Sequence, residues 1–182
     1  LEEAHEGIKK DFNAGDRFEV CSADLLTDDG WQDAMDGIDA VIHTASPFSA
    51  QEPKDEQVLI RPAREGTVRV LTHAYSAGIR KFVITSSTAA ISGATPTKKN
   101  QTYTHENWTD IEQNVSAYTK SKTLAEKAAW KFIEENPDAK LTTVNPNVIF
   151  GPLHSGSSGT SLRIIESIIS SSYPGFPKIS FA

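Results

Sequence analysis

Apolar residues along this chain fall into two kinds of pattern, which predict alternating strands and helices. A partly alternating run predicts a strand at 17–24, and short compact apolar runs predict strands at 39–45, 81–85 and 141–145. Apolar residues at helical spacing predict helices at 31–36, 64–77, 116–135 and 162–169. Strands that alternate with helices are typical of parallel sheets with helical crossovers, so we predict an α/β fold with helices on both faces of the sheet.

Composition bounds the function classes. The 182 residues are 38% hydrophobic and carry a formal charge of -6, which is ordinary for a soluble globular domain and argues against nucleic acid or a membrane as partner. No apolar run is long enough to span a bilayer, and the single cysteine, Cys21, fits a reducing compartment, so we expect a cytoplasmic protein. Because Cys21 lies in a strand-like run, we expect a buried structural thiol. The oligomeric state is not readable.

Two kinds of catalytic site find no support in the sequence. The five histidines are scattered without metal-ligand spacing, so no metal site is expected. A Gly-x-Ser-x-Gly elbow is absent, so a serine hydrolase has little support.

The helix at 116–135 carries the most suggestive pair of side chains. Tyr118 and Lys122 are four residues apart and share one helix face. A phenol beside an ammonium is a sensible proton donor, because the positive charge favours the phenolate. The plain alternative is a solvated helix face with a lysine that extends along it.

Polar, small and proline residues follow each predicted strand, where ligands bind in open parallel sheets. These strand ends carry Asp24, Leu25, Ala45, Ser46, Pro47, Ser86, Ser87, Pro146 and Val148. Each also has a structural interpretation: Asp24 as a helix cap, Ala45 as close packing and Pro146 as a strand terminator. His43 is expected to be a structural residue at a strand end rather than an acid or base.

Taken in order, these segments resemble the extended short-chain dehydrogenase/reductases over residues 17–178. The resemblance rests on the following segments: Asp24-Leu25, His43-Thr-Ala-Ser-Pro47, Glu65-Gly-Thr67, Thr85-Ser-Ser87, Tyr118-x-x-x-Lys122-Thr-Leu-Ala-Glu-Lys-Ala-Ala-Trp130 and Asn145-Pro-Asn-Val-Ile-Phe-Gly-Pro152. They are most similar to the branch of dihydroflavonol reductases, cinnamoyl-CoA reductases and yeast-type methylglyoxal or ketone reductases.

The resemblance implies an NADP-dependent carbonyl reductase of a ketone, aldehyde or dihydroflavonol-like substrate, with NAD as a possible cofactor. Tyr118 would donate a proton to the carbonyl oxygen, Lys122 would assist it and bind the nicotinamide ribose, and Ser87 would polarise the carbonyl. Ser86 competes for the serine role. The residues implied to contact the cofactor are Asp24, Leu25, Ala45, Ser46, Pro47, Tyr118, Lys122, Pro146 and Val148.

Two other functions stay open. Sugar-nucleotide epimerases and dehydratases share the Tyr-x-x-x-Lys and serine positions, but they usually carry Val-Tyr-Gly where this chain reads Thr88-Ala-Ala-Ile-Ser-Gly93. A non-catalytic cofactor-binding remnant of the same fold is the other alternative; such proteins generally lose the tyrosine that is present here.

The family's opening Gly-x-x-Gly-x-x-Gly turn, and the basic residue that would select NADP over NAD, are absent from the chain. The resemblance therefore implies a Rossmann-like doubly wound parallel sheet lacking its first βαβ portion and most of the small substrate domain. We predict a partial dinucleotide-binding domain at 1–152 and the start of a substrate-binding region at 153–182. We expect a middle portion of a longer, active protein, and an isolated 182-residue chain that exposes part of its sheet and binds NADPH weakly.

Overall fold

A computed structural model describes residues 18–49, 51–96, 100–151 and 160–170 of the chain. One compact unit spans Cys21–Pro146 and contains the sheet and the long helices. The remaining described residues, at 18–20, 147–151 and 160–170, lie outside that unit.

Three parallel strands form the sheet of this unit. They are β1 Val41–His43, β2 Lys81–Thr85 and β3 Lys140–Val144, paired in that spatial order. Val41 is opposite Phe82, and Phe82 is opposite Leu141, so these three side chains share one face of the sheet.

Five helices are described. They are α1 Trp31–Ala34, α2 Gln57–Ser76, α3 Ala89–Ser92, α4 Ala117–Glu135 and, outside the compact unit, α5 Thr160–Ile169. Among the helices of the described residues, none has the length and apolar character needed to cross a membrane.

The core lies between the sheet and the helix pair α2 and α4. It is built from side chains of the helices, of the strands and of the turns between them: Met35, Val70, Leu71, Ala74, Ile79, Phe82, Ile84, Ala129 and Ala139. Alanines at the closest approaches let the backbones of helices and strands come near each other. This packing brings the N-terminal part of α4 to the end of β2, where Lys122 donates a hydrogen bond to the Thr85 carbonyl.

The opposite face of the sheet is partly open. Ile42 of β1 is 71% exposed and Val144 of β3 is 48% exposed. Large apolar side chains on a strand are usually covered in parallel sheets, which carry helices on both faces. The expectation that this chain exposes part of its sheet agrees with these two residues.

The predicted parallel α/β arrangement is confirmed, and several element boundaries need correction. Strand β1 covers only Val41–His43 of the predicted 39–45, and α1 ends at Ala34 instead of residue 36. Helix α2 begins at Gln57, not at residue 64, because the buried side chains of Leu59 and Ile60 extend the helix upstream of Pro62. Helix α3 was not predicted, since a single turn of four residues has no readable periodicity. Strand β3 begins and ends one residue before the prediction, and α5 begins two residues earlier.

The first predicted strand is wrong for the residues that the structure describes. Residues 18–24 contain no strand, and β1 and β3 are the outer strands of the described sheet. A partly alternating run of this kind becomes a strand only when a neighbouring strand pairs with its backbone. Cys21 is exposed, so the expectation of a buried thiol is also wrong.

Candidate active site

The first turn of α4 is held in place from two directions. Ser116 is the N-cap, and its hydroxyl oxygen accepts a hydrogen bond from the Thr119 amide at 3.1 Å. The carboxylate of Glu52 accepts from the Ala117 amide at 2.6 Å. Lys120 forms an ion pair with Glu56 at 2.6 Å, which ties the same turn to the residue before α2. The backbone around Tyr118 is therefore anchored to the polar segment that follows β1.

Tyr118 and Lys122 lie on one face of α4, as the sequence predicts. The ammonium of Lys122 is 6.0 Å from the centroid of the Tyr118 ring and donates a hydrogen bond to the Thr85 carbonyl at the end of β2, at 3.3 Å. Phe48 packs edge-on against the Tyr118 ring, with centroids 5.3 Å apart. The tyrosine ring is thus held between the segment after β1 and the lysine.

Lys122 is buried, being 8% exposed, so the solvated-face alternative does not describe it. Burial lowers the pKa of the Lys122 ammonium below its ordinary value, and the negative charge of Glu126 opposes that shift. An ammonium has three donors, and the Thr85 carbonyl takes one of them. The buried ammonium therefore has further N–H groups that can donate hydrogen bonds beside the tyrosine.

The two candidate serines differ in their surroundings. The hydroxyl oxygen of Ser87 accepts a hydrogen bond from the Ala89 amide at 3.1 Å, which starts α3. The hydroxyl of Ser86 is buried and has no hydrogen-bond partner among the residues that the structure describes. Both side chains are buried, and the structure leaves Ser86 and Ser87 open as alternatives for the substrate-facing hydroxyl.

Ala45, Ser46, Ser86 and Lys122 line one small cavity at the ends of β1 and β2. The hydroxyl of Ser46 is buried and lacks a partner within the described ranges. Residues that were predicted from three separate stretches of sequence are thus brought together.

Pro146 lies at the end of β3, where its carbonyl accepts a hydrogen bond from the Thr88 amide at 3.0 Å. Pro47 is half-buried and directly precedes Phe48, the residue that packs on Tyr118.

His43 lines the same cavity from the end of β1. It is 7% exposed, and its Nε2 atom lies 3.4 Å from the Thr67 hydroxyl. Burial and the nearby charge of Lys122 lower the pKa of His43 to about 4, so the ring is neutral at ordinary pH. A neutral, buried imidazole at a strand end agrees with the structural role expected for it.

Asp24 and Leu25 form a separate turn beside α1 and α2. The Asp24 carboxylate accepts a hydrogen bond from the Leu26 amide at 2.8 Å, so it stabilises this turn and does not cap α1, whose N-cap is Gly30. The carbonyl of Leu25 accepts from Arg69, and its side chain packs against Gly66, where a Cβ atom would come within 2.7 Å of it. Glycine at position 66 is therefore required by the close approach.

Val148 belongs to residues 147–151, which lie outside the compact unit that contains the other candidate site residues. In the described part of the chain, no three His, Cys, Asp or Glu side chains are grouped in a way that could hold a metal ion.

Comparison with known proteins identifies the family. The sequence profile of the 3-beta hydroxysteroid dehydrogenase/isomerase family matches residues 3–168. The chain belongs to this family of extended short-chain dehydrogenase/reductases, as the motifs predict.

Among curated relatives, a cinnamoyl-CoA reductase of Medicago truncatula is 35% identical over 92% of this chain and 52% of its own length. An anthocyanidin reductase of Vitis vinifera is 35% identical over 82% of this chain and 46% of its own length. The chain therefore spans about half the length of the curated relatives it matches. The branch suggested by the motifs is confirmed by these relatives.

Solved structures show the same fold. The Gre2 protein of Candida albicans, crystallised with NADPH, is 33% identical and superposes with a TM-score of 0.77 over 93% of this chain and 56% of its own. The yeast methylglyoxal/isovaleraldehyde reductase Gre2, also with NADPH, is 34% identical with a TM-score of 0.70, over 84% of this chain and 50% of its own. The Rossmann-like fold class is confirmed.

Two residues of the site were not assigned a role from the sequence. Glu126 is buried one turn beyond Lys122, and Asn145 at the end of β3 donates a hydrogen bond to its carboxylate at 2.8 Å. The spacing of four residues between Tyr118, Lys122 and Glu126 was a readable signal for the glutamate. The contact with Asn145 joins residues far apart in the chain and had no local signal.

Proposed function

We propose that the full-length protein is an NADPH-dependent reductase that converts the carbonyl group of a small molecule to an alcohol. The observation that carries this proposal is the buried Lys122 ammonium beside the Tyr118 ring, at the strand end that also presents Ser86 and Ser87. Proton transfer to a carbonyl oxygen needs a proton donor, a positive charge that stabilises the resulting anion and a hydrogen-bond donor to the oxygen. The phenol, the ammonium and the serine hydroxyl can supply these three.

The residues present suit a nicotinamide cofactor. The buried hydroxyls of Ser46 and Ser86 have no hydrogen-bond partner among the described residues. The Lys122 ammonium uses one of its three N–H donors for the Thr85 carbonyl. NADPH supplies the hydride when bound. The residues of the compact unit that would hold it are Asp24, Leu25, Ala45, Ser46, Pro47, Tyr118, Lys122 and Pro146; Val148, outside that unit, is proposed from the family resemblance alone.

Each side chain has a distinct part in the proposed reaction. Tyr118 gives its phenolic proton to the carbonyl oxygen of the substrate, and in the reverse direction takes it back. Lys122 stabilises the negative charge that develops on the phenol. Ser87, with Ser86 as the competing residue, donates a hydrogen bond to the same carbonyl oxygen. Phe48 packs edge-on against the Tyr118 ring and so restricts the orientation of the phenol.

The relatives support this chemistry and this cofactor. Those described above are named as reductases, and both Gre2 structures contain NADPH. The chain itself has no Gly-x-x-Gly-x-x-Gly turn, so the part of the site that binds pyrophosphate in such folds is not found in these 182 residues. NADH is therefore the alternative cofactor to test.

The test is an activity screen of the full-length protein. We expect NADPH oxidation with a panel of ketones, aldehydes and dihydroflavonols, together with formation of the matching alcohol. NADH should support the same products with lower kcat/KM. Cofactor binding without turnover of any carbonyl compound would contradict the proposal and favour a cofactor-binding protein instead.

A further inference from the structure

The roles proposed above leave one buried ionisable side chain unused. Glu126 is 5% exposed, and it lies one helical turn beyond Lys122 on the face of α4 that points to the strand ends. A carboxylate in such a position is costly unless its charge and its lone pairs are compensated. The partners of Glu126 therefore bear on what it does.

We propose that Glu126 is a positioning residue, which places a carboxylate in the cavity that it shares with the buried Lys122 and so favours the charged lysine, and which, through Asn145, fixes the backbone of Ser87. The inference rests on the proposed function, because it concerns the proton donor of that reaction. Glu126 touches none of the reacting atoms in this account and acts only through the two residues beside it.

The positioning of Ser87 follows from the hydrogen bonds of Asn145. The side-chain amide of Asn145 donates to the Glu126 carboxylate at 2.8 Å and to the Ser87 carbonyl at 3.2 Å. Trp130 donates to the other carboxylate oxygen of Glu126 at 3.3 Å, which fixes the orientation of that group. A chain of contacts thus runs from α4 through the end of β3 to the serine.

The charge of Glu126 acts on Lys122. Burial disfavours the ammonium, while the negative charge of Glu126 favours it. The titratable side chains that line this cavity are His43 from β1 and Lys122 and Glu126 from α4. Tyr118 faces Lys122 from the preceding turn of α4. The other described side chains around Lys122 carry no charge. They include Thr85 and Ser86 at the end of β2, Asn145 at the end of β3 and Thr67 of α2.

The first test measures the protonation of Lys122 without any turnover. The full-length protein, free of cofactor, is exposed to an amine-acylating reagent over a range of pH, and the acylation of Lys122 is followed by peptide mass spectrometry. We expect Lys122 to be acylated faster in Glu126→Gln than in wild type at a fixed pH below the midpoint, because loss of the negative charge lowers the pKa of the Lys122 ammonium and leaves more of the neutral amine. Glu134→Gln, on the exposed side of the same helix, is the matched control and should behave as wild type. Equal rates in all three proteins would overturn the proposal.

The second test separates charge from positioning. Asn145→Ala removes the link to Ser87 and leaves the Glu126 charge in place, so we expect a lower kcat with an unchanged acylation profile of Lys122. Glu126→Asp keeps the charge but withdraws the carboxylate, so it should also lower kcat while the acylation profile stays close to wild type. An acylation profile for Glu126→Asp that matches Glu126→Gln would show that charge is not the cause, and would overturn the proposal.

The tests distinguish a failure of the positioning role of Glu126 from a failure of the proposed function. If Glu126→Gln does not fold, Glu126→Asp carries the test: a kcat no lower than that of Glu134→Asp contradicts the positioning role. If Tyr118→Phe leaves turnover unchanged, the proposed function fails, while the acylation result still decides whether Glu126 favours the charged form of Lys122.

Discussion

The ammonium of Lys122 lies 6.0 Å from the centroid of the Tyr118 ring, one helical turn away, and is fixed there by the Thr85 carbonyl. Three elements are needed for this arrangement. Helix α4 supplies the spacing, β2 supplies the carbonyl, and the packing of α4 on the sheet buries the lysine. The relationship between these two side chains is therefore a property of the fold and not of the helix alone.

The serine assignment gives the first prediction. Ser87→Ala should lower kcat by about a hundredfold or more, because it removes a hydrogen-bond donor to the carbonyl oxygen in the transition state. Ser86→Ala is the matched control and should change kcat much less. Steady-state kinetics of both variants of the full-length protein decide the matter. The reverse order of effects would transfer the role to Ser86.

The anchoring of α4 gives the second prediction. Ser116→Ala should lower the free energy of unfolding by about 1 kcal/mol, because the Thr119 amide loses its N-cap acceptor. Ser116→Asp should restore most of the loss, since a carboxylate accepts the same bond and interacts favourably with the helix N-terminus. Denaturant titration measures both variants. An unfolding midpoint of Ser116→Ala equal to that of wild type would contradict the capping role.

These elements also show what the sequence could predict and why. Periodicity located β2 at its observed residues and placed the end of α4 at Glu135, because both elements pack on the core with a regular pattern. The strand at 17–24 was over-predicted, since a partly alternating sequence does not reveal whether another strand pairs with it. The start of α2 was missed because Pro62 usually marks the first turn of a helix, whereas here buried Leu59 and Ile60 extend the helix upstream.

For the candidate site too, the sequence predicted some contacts and not others. Spacing along one helix predicted that Tyr118 and Lys122 share a face, and strand-end logic predicted that Ser46 and Ser86 come together. Sequence could not predict that Lys122 is buried against Thr85, or that Asn145 joins Glu126 to Ser87. Such contacts depend on the register of strands and helices that are far apart in the chain.

His43 gives a prediction for the pH dependence of stability. Its pKa is lowered to about 4 in the folded protein from an ordinary value of 6.5, so the unfolded state binds the additional proton between these two values. The stability contributed by the neutral, buried ring is fully present above pH 6.5 and is lost as the pH falls from 6.5 to about 4. The loss amounts to about 3 kcal/mol.

Denaturant titrations over this pH range compare wild type with His43→Gln. The variant has no titrating ring at this position, so its stability should fall less steeply between pH 6.5 and pH 4. His105→Gln, which alters an exposed histidine, is the control and should keep the slope of wild type. Parallel curves for wild type and His43→Gln would contradict the prediction.

The most direct test of the account is Tyr118→Phe in the full-length protein, which removes one hydroxyl and keeps the ring that packs against Phe48. NADPH affinity and the kcat for a carbonyl substrate are measured on the same preparation, with the product alcohol quantified. We predict a kcat lower by at least about a hundredfold with NADPH affinity retained, because the proton donor alone is lost. A variant that reduces the carbonyl as fast as wild type would contradict the central claim.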